Sequence, residues 1–149
     1  MKAVIQRVTR AAVSVGGEVV GGIEQGLFVL LGVAEGDTQH DAEKLAAKTA
    51  KLRIFCDESG KLSKSASDIG GGILTVSNFT LCGNCSHGNR PDFTAAAKAQ
   101  KARELYLHFI DIIEQSGVKK SASGRFGADM KISAELDGPV TIVIDTETM

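Results

Sequence analysis

Only two prolines and no low-complexity tract interrupt the 149 residues, which leaves no room for a linker between separate modules. Cysteine is scarce and odd in number (Cys56, Cys82, Cys85), an argument against a secreted disulfide framework. An excess of positive charge is also missing. Lys and Arg number 17 against 18 Asp and Glu, for a net charge of −1. A protein that coats nucleic acid broadly is basic overall, so DNA is not an expected partner. A local basic patch gripping one end of an RNA stays open. No apolar run approaches the ~20 residues of a membrane helix. The opening Met1-Lys2-Ala3-Val4-Ile5-Gln6-Arg7 carries charge too early for a signal-peptide core. The expectation is a cytoplasmic protein with no membrane partner.

What is present reads as one domain over residues 1–149. Hydrophobic residues make up 43% of the chain. A chain of this length buries roughly 70% of its unfolded surface, enough to fold without a metal or disulfide staple. Residues 2–33 carry β signals. Gly16-Gly17 marks a hairpin between Ala12–Val15 and Glu18–Ile23, and Leu27–Val33 is nearly all apolar, as in a strand buried on both faces. Asp37 is the predicted N-cap of a first helix over Thr38–Leu52, with Leu45, Thr49 and Leu52 inward and its lysines in water. Arg53–Cys56 is a strand closed by the turn Asp57-Glu58-Ser59-Gly60, and Ile73–Phe79 is another. A second helix is predicted from Phe93 or Thr94 to Gln115, with Leu105, Phe109, Ile112 and Ile113 as its apolar face. Ala128–Leu136 alternates as a strand, and Asp137-Gly138 is expected to turn the chain into Val140–Asp145. The pattern is α+β, with a mainly antiparallel sheet or barrel-like core and two helices.

Several groupings bear on chemistry. Cys82-x-x-Cys85 followed by His87 has ligand types for zinc or a thiol function, but no second ligand pair accompanies it. His40, His87 and His108 are the histidines available to a Ser-His-Asp site, and no Gly-x-Ser-x-Gly elbow is present. Gly70-Gly71-Gly72 is not followed by Gly-Lys-Ser/Thr, so it is no P-loop. It fits a tight approach before the next strand. Lys119, Lys120, Arg125 and Lys131 cluster in sequence and could meet phosphates. Ser77-Asn78-Phe79-Thr80-Leu81 ends an apolar strand with hydroxyls and free N–H groups. Gly138-Pro139 stands where glycine weakens a strand and proline removes a ladder donor. Taken singly, the first reads equally as strand-end hydroxyls and the second as a hairpin turn.

Together, and in order, the motifs resemble the D-aminoacyl-tRNA deacylases (also called D-tyrosyl-tRNA deacylases) from end to end. The matching stretches are Met1–Val8, Leu52-Arg53-Ile54-Phe55, Ser77-x-Phe79-Thr80-Leu81, Gly88-Asn89-Arg90-Pro91-x-Phe93, Gly124-x-Phe126-Gly127-Ala128-Asp129-Met130 and Asp137-Gly138-Pro139-Val140-Thr141. The resemblance implies a homodimeric esterase that needs no cofactor or metal and acts on the aminoacyl 3′ end of tRNA. It implies a cis Gly138-Pro139 peptide that reaches the partner's Ser77–Thr80 and rejects L-aminoacyl esters. Ser77, Phe79 and Thr80 are then the catalytic residues, with oxyanion donors among the backbone N–H groups of Phe79 and Thr80 and attack by water assisted by the ribose 2′-OH. Asn78, Phe126, Met130, Gly138 and Pro139 bind substrate, and glycyl-tRNA is expected to be cleaved as well. The alternatives are a non-catalytic dimeric tRNA-end-binding module and a small thiol or zinc protein using Cys82, Cys85 and His87. The chain departs from the family pattern at Asn78, where glutamine is usual, at Leu136, where asparagine is common, and in the loop Cys82–His87, which is less basic than usual.

Overall fold

One long strand, β1 (Lys2–Val15), organises the molecule, whose computed structural model describes residues 1–149. On one edge it pairs antiparallel with β2 (Glu18–Ile23) through Ala11–Val15 and with β3 (Gly26–Gly32) through Lys2–Val8. On its other edge it pairs with β8 (Lys131–Asp145), the C-terminal strand. The buried residues of β1 are Ala3, Ile5, Val8, Ala11 and Val13. Their spacing slips from odd to even positions and back. Side chains alternate strictly along a strand, so each slip requires an irregularity. The β1–β8 register does shift on both sides of Val8.

The β1–β2 turn has Gly16 and Gly17 at φ 58° and 87°, the positive values that a tight hairpin demands at both central residues. β3 is buried on both faces, as its unbroken apolar run predicts, because the helices cover Leu27, Val29 and Leu31 on one face and strand residues inside the curled sheet enclose Phe28 on the other. It pairs in parallel with β6 (Gly72–Ser77), and β6 pairs in parallel with β7 (Lys120–Ser123). β7 then returns beside β2. A Cβ on Gly21 would lie 2.4 Å from the Ser123 carbonyl oxygen, so the sheet is nearly closed. The glycine run at 70–72 serves the close approach expected of it, since a Cβ on Gly71 would sit 2.9 Å from the Gln25 carbonyl oxygen and one on Gly72 2.8 Å from Ile23 Cγ2. A short hairpin, β4 (Phe55–Cys56) with β5 (Leu62–Lys64), lies apart from the main sheet.

Two helices pack together over the sheet: α1 (Gln39–Ala50) and α2 (Ala99–Gln115). Leu45 and Thr49 are fully buried, and the Thr49 hydroxyl donates to the Leu45 carbonyl at 2.8 Å. Two boundaries differ from expectation. The N-cap is Thr38, whose N–H and hydroxyl both donate to the Asp41 carboxylate. Asp37 is buried instead, accepting the Ala34 N–H and pairing with the Met1 ammonium at 2.5 Å. α2 begins at Ala99 rather than Phe93, because the preceding segment is pinned to the end of β3. There Ala97 N–H donates to the Val33 carbonyl and Ala34 bridges Ala96. No helix is long and apolar enough to cross a membrane.

The expected turn at Asp137-Gly138 is also corrected. β8 runs straight through it. Gln6 pairs with Thr141 and Val8 with Leu136, so the residues from Asp137 to Val140 stand opposite Arg7 alone. They bulge outward with Gly138 and Pro139 exposed, and the Gly138-Pro139 peptide is cis. The chain does not reverse because β1 is long enough to carry both halves of β8.

Candidate active site

β6 ends at Ser77 and passes straight into a 3-10 turn, Phe79–Cys82. Asn78 caps that turn. Its Oδ1 accepts the Thr80 N–H at 3.3 Å and the Thr80 hydroxyl at 2.5 Å. The first N–H groups of a helical turn have no partner within it. With Thr80 held by Asn78, the Phe79 N–H is the remaining one at the head of the turn.

Beside this turn lies an open, largely apolar cavity of about 390 Å³, within the range of small-molecule sites. Ser77, Asn78 and Phe79 form one wall, and Phe126, Gly127, Ala128 and Met130 face them from the segment between β7 and β8. Leu31 of β3 and Val33 just beyond its end, with Ala102 and Tyr106 of α2, close the base. Five residues singled out in the sequence thus meet in one place: Ser77, Asn78, Phe79, Phe126 and Met130. Thr80 does not line the cavity; its side chain is spent on Asn78. Gly138 and Pro139 do not reach the cavity of their own chain. None of the three histidines lines it either.

The other groupings disperse. Cys82 is buried, while Cys85 and His87 are exposed on the following loop. No three His, Cys, Asp or Glu side chains converge as metal ligands. Burial, the leading cause, pushes the Cys82 thiol above its ordinary value. Lys119 and Lys120 line a separate polar hollow with Arg10 and Gly72, at the opposite end of β6 from Ser77.

The family profile described as D-Tyr-tRNA(Tyr) deacylase matches residues 4–145, almost the whole chain. The chain belongs to this deacylase family. Among curated relatives, a D-aminoacyl-tRNA deacylase from Geobacter metallireducens is 52% identical over 98% of this chain and 96% of its own length. The protein of that name from Thermus aquaticus is 51% identical over 98% and 95%. A solved structure described as c-Myc DNA Unwinding Element Binding Protein superposes with a TM-score of 0.90 at 44% identity, covering 97% of this chain and 98% of that one. A second, described as a probable eukaryotic D-amino acid tRNA deacylase, gives 0.85 at 15% identity over 96% and 97%, a likeness of fold.

Two residues of this deacylase that sequence reasoning missed hold the site in place. Tyr106, the single tyrosine, is buried under the cavity. Its hydroxyl donates to the Thr75 carbonyl on β6 at 2.9 Å and reaches the Gly124 carbonyl at 3.4 Å. Its ring packs 5.7 Å from that of Phe126. Desolvation pushes its pKa up to about 12. The signal available was a lone phenol on the apolar face of α2, where a buried O–H must find an acceptor. Arg7 is the other. Its Nε donates to the Asp137 carbonyl at 3.0 Å and lies 3.1 Å from the Asp137 carboxylate, while Nη1 donates to the Ile54 carbonyl at 2.7 Å. It fastens the base of the Gly138-Pro139 bulge. An arginine inside the opening strand was the only hint.

Proposed function

We propose that this chain is an editing esterase that hydrolyses D-aminoacyl-tRNA to free D-amino acid and tRNA. The observation that carries the reading is the meeting of Ser77, Asn78 and Phe79 with Phe126 and Met130 around one apolar cavity, in a chain of the deacylase family. Phe126 and Met130 supply an aromatic and a polarizable wall suited to the terminal adenosine. The reacting ester then lies against the head of the 3-10 turn.

An aminoacyl ester is already labile, so no strong nucleophile is required. Water adds to the ester carbonyl carbon, the bond to the ribose 3′ oxygen breaks, and that oxygen leaves with a proton. The neighbouring 2′-OH assists the attack, so the reaction needs an RNA terminus. The Phe79 N–H is the donor for the developing oxyanion, a role in which one donor is typically worth ~3–4 kcal/mol. The Thr80 N–H, shared with Asn78, is the weaker second donor. The Thr80 hydroxyl orients Asn78 rather than reacting.

Chirality is read by exclusion in a homodimer. The exposed Gly138-Pro139 bulge of one protomer enters the cavity of the other and grips the substrate amino group. That presses one face of the substrate Cα against backbone. An L side chain meets this wall and a D side chain points away. Glycine has no Cβ to exclude, so glycyl-tRNA is cleaved too. Work on charged tRNA places the protein in the cytoplasm.

The test is ester loss from D-Tyr-tRNA, L-Tyr-tRNA and Gly-tRNA with purified protein. Fast D cleavage, measurable Gly cleavage and spared L ester are expected. Intact glycyl-tRNA beside rapid D cleavage refutes exclusion. No cleavage of any ester by a folded dimer leaves an RNA-end-binding module.

A further inference from the structure

Phe79 does two things at once. It lines the cavity, yet 58% of it is exposed, the most of any aromatic residue in the chain. Its ring is met by that of Phe93, which does not line the cavity. The two ring centroids are 5.2 Å apart at 69°, edge to face. Phe93 is held firmly for a loop residue. Asn84 and Asp92 exchange backbone hydrogen bonds of 2.7 and 2.9 Å, and the Asp92 carboxylate accepts the Thr94 N–H and hydroxyl at 2.8 and 3.0 Å. Ala96 N–H donates to the Phe93 carbonyl at 3.0 Å. Beneath the ring, a Cβ on Gly83 would lie 2.9 Å from Phe93 Cε1, so glycine lets the ring settle onto the chain. Arg90 is exposed on the same loop.

An aromatic pair that served only to pack would turn its surface inward. This one is rigidly mounted at the mouth of a cavity, with Phe79 exposed and Phe93 partly so. A nucleic-acid chain leaving the cavity must cross that mouth, and single-stranded bases are recognised by stacking on exposed aromatic faces. The geometry points to a second nucleotide subsite: Phe93, beside the exposed part of Phe79, stacks the base immediately 5′ to the terminal adenosine. The exposed Arg90 guanidinium stands close in sequence for the intervening phosphate. The inference rests on the proposed RNA-end substrate and adds a residue that discriminates an RNA end from a lone nucleoside ester.

The test compares D-Tyr-tRNA with D-Tyr-adenosine in wild type, Phe93→Leu and Phe93→Tyr, and titrates the same proteins with the trinucleotide CCA and with adenosine. The ratio of kcat/KM for tRNA to that for the nucleoside ester is expected to fall about tenfold in Phe93→Leu, through KM, as loss of one stacked base implies. Phe93→Tyr restores it. CCA is expected to bind wild type about tenfold more tightly than adenosine, and Phe93→Leu to remove that advantage. Equal losses on both substrates would overturn the subsite, because Phe93 would then act only by supporting Phe79. An unchanged ratio would overturn it as well. If wild type cleaves neither ester yet keeps the CCA advantage through Phe93, the hydrolase reading fails and the subsite stands.

Discussion

Asn78 carries two duties that substitutions can separate. Its Oδ1 caps the 3-10 turn through Thr80, and its side chain faces the cavity where the oxyanion would form. Aspartate caps as well as asparagine does, but adds negative charge beside a developing anion. Asn78→Asp should therefore keep the melting temperature within a degree or two while lowering kcat at least tenfold, checked by thermal unfolding and single-turnover ester loss. Thr80→Ala should keep substantial activity, because the backbone donors survive it. Abolished cleavage with an intact fold would return the hydroxyl to a chemical role. Tyr106 gives a prediction with a pH sign. Folded Tyr106 keeps its proton up to about pH 12, whereas an unfolded tyrosine loses it near ~10. Its contribution is whole below the unfolded pKa and is lost as pH rises through the folded one. Denaturant titrations should show wild-type stability falling faster than that of Tyr106→Phe between about pH 10 and 12. At neutral pH the same variant should lose about 1 kcal/mol for the missing hydrogen bond.

Among the elements, the bulge on β8 shows how far the sequence could be read. The alternation of Ala128–Leu136 and the Asp-Gly-Pro signal both mark real features, a strand and a break in its pairing. What local pattern cannot state is the length of the partner. A hairpin and a bulge use the same turn residues, and only the fourteen-residue reach of β1 makes the chain continue. The same holds for the site. Ser77–Phe79 and Phe126–Met130 are legible only as ordered motifs that resemble a family, while Arg7 and Tyr106 act through carbonyl groups that no sequence motif names. The missed β7 is four residues long and mostly polar, too short for periodicity to declare. Arg7 is the place to test the bulge. Its guanidinium serves two carbonyls and a carboxylate at once, which an ammonium on a flexible stem cannot do. Arg7→Lys should destabilise the protein by about 1–3 kcal/mol in chemical denaturation, and on the proposed reading it should relax the rejection of L-Tyr-tRNA more than it slows D cleavage. An opposite ordering, with D cleavage lost and L still rejected, would detach Arg7 from the chiral wall. Gly26→Ala is a control for the β3–β6 approach. A Cβ 1.9 Å from the Gly72 carbonyl oxygen cannot be absorbed by a side-chain rotation, so this variant should fail to give folded protein, read by circular dichroism.

At the scale of the molecule, β8 is the exposed long strand of the sheet. Ile132, Leu136 and Val143 are 42%, 49% and 70% exposed along it, and its pairing within the chain is confined to the β1 edge. Unpaired apolar strand edges invite pairing with another chain. The same strand carries the bulge that leaves its own cavity untouched. Both facts suit a homodimer in which each site is completed by its partner, and this arrangement makes a quantitative prediction. Take Asn78→Asp, whose own site is disabled but whose bulge is intact, and a second variant with Gly138 and Pro139 replaced by alanines, whose cavity is intact but whose bulge is not. Each alone should be nearly inactive on D-Tyr-tRNA. Unfolded together, refolded and mixed at equal amounts, half of the dimers should be mixed, and each mixed dimer holds one working site of two. Activity should therefore return to about a quarter of the wild-type value if association is random and closed by a twofold axis. Dimers shown to be mixed by mass spectrometry, yet still inactive, would mean that the bulge serves the cavity of its own chain. Wild-type activity that persists undiminished in a sample held monomeric by dilution would mean that no partner is needed at all.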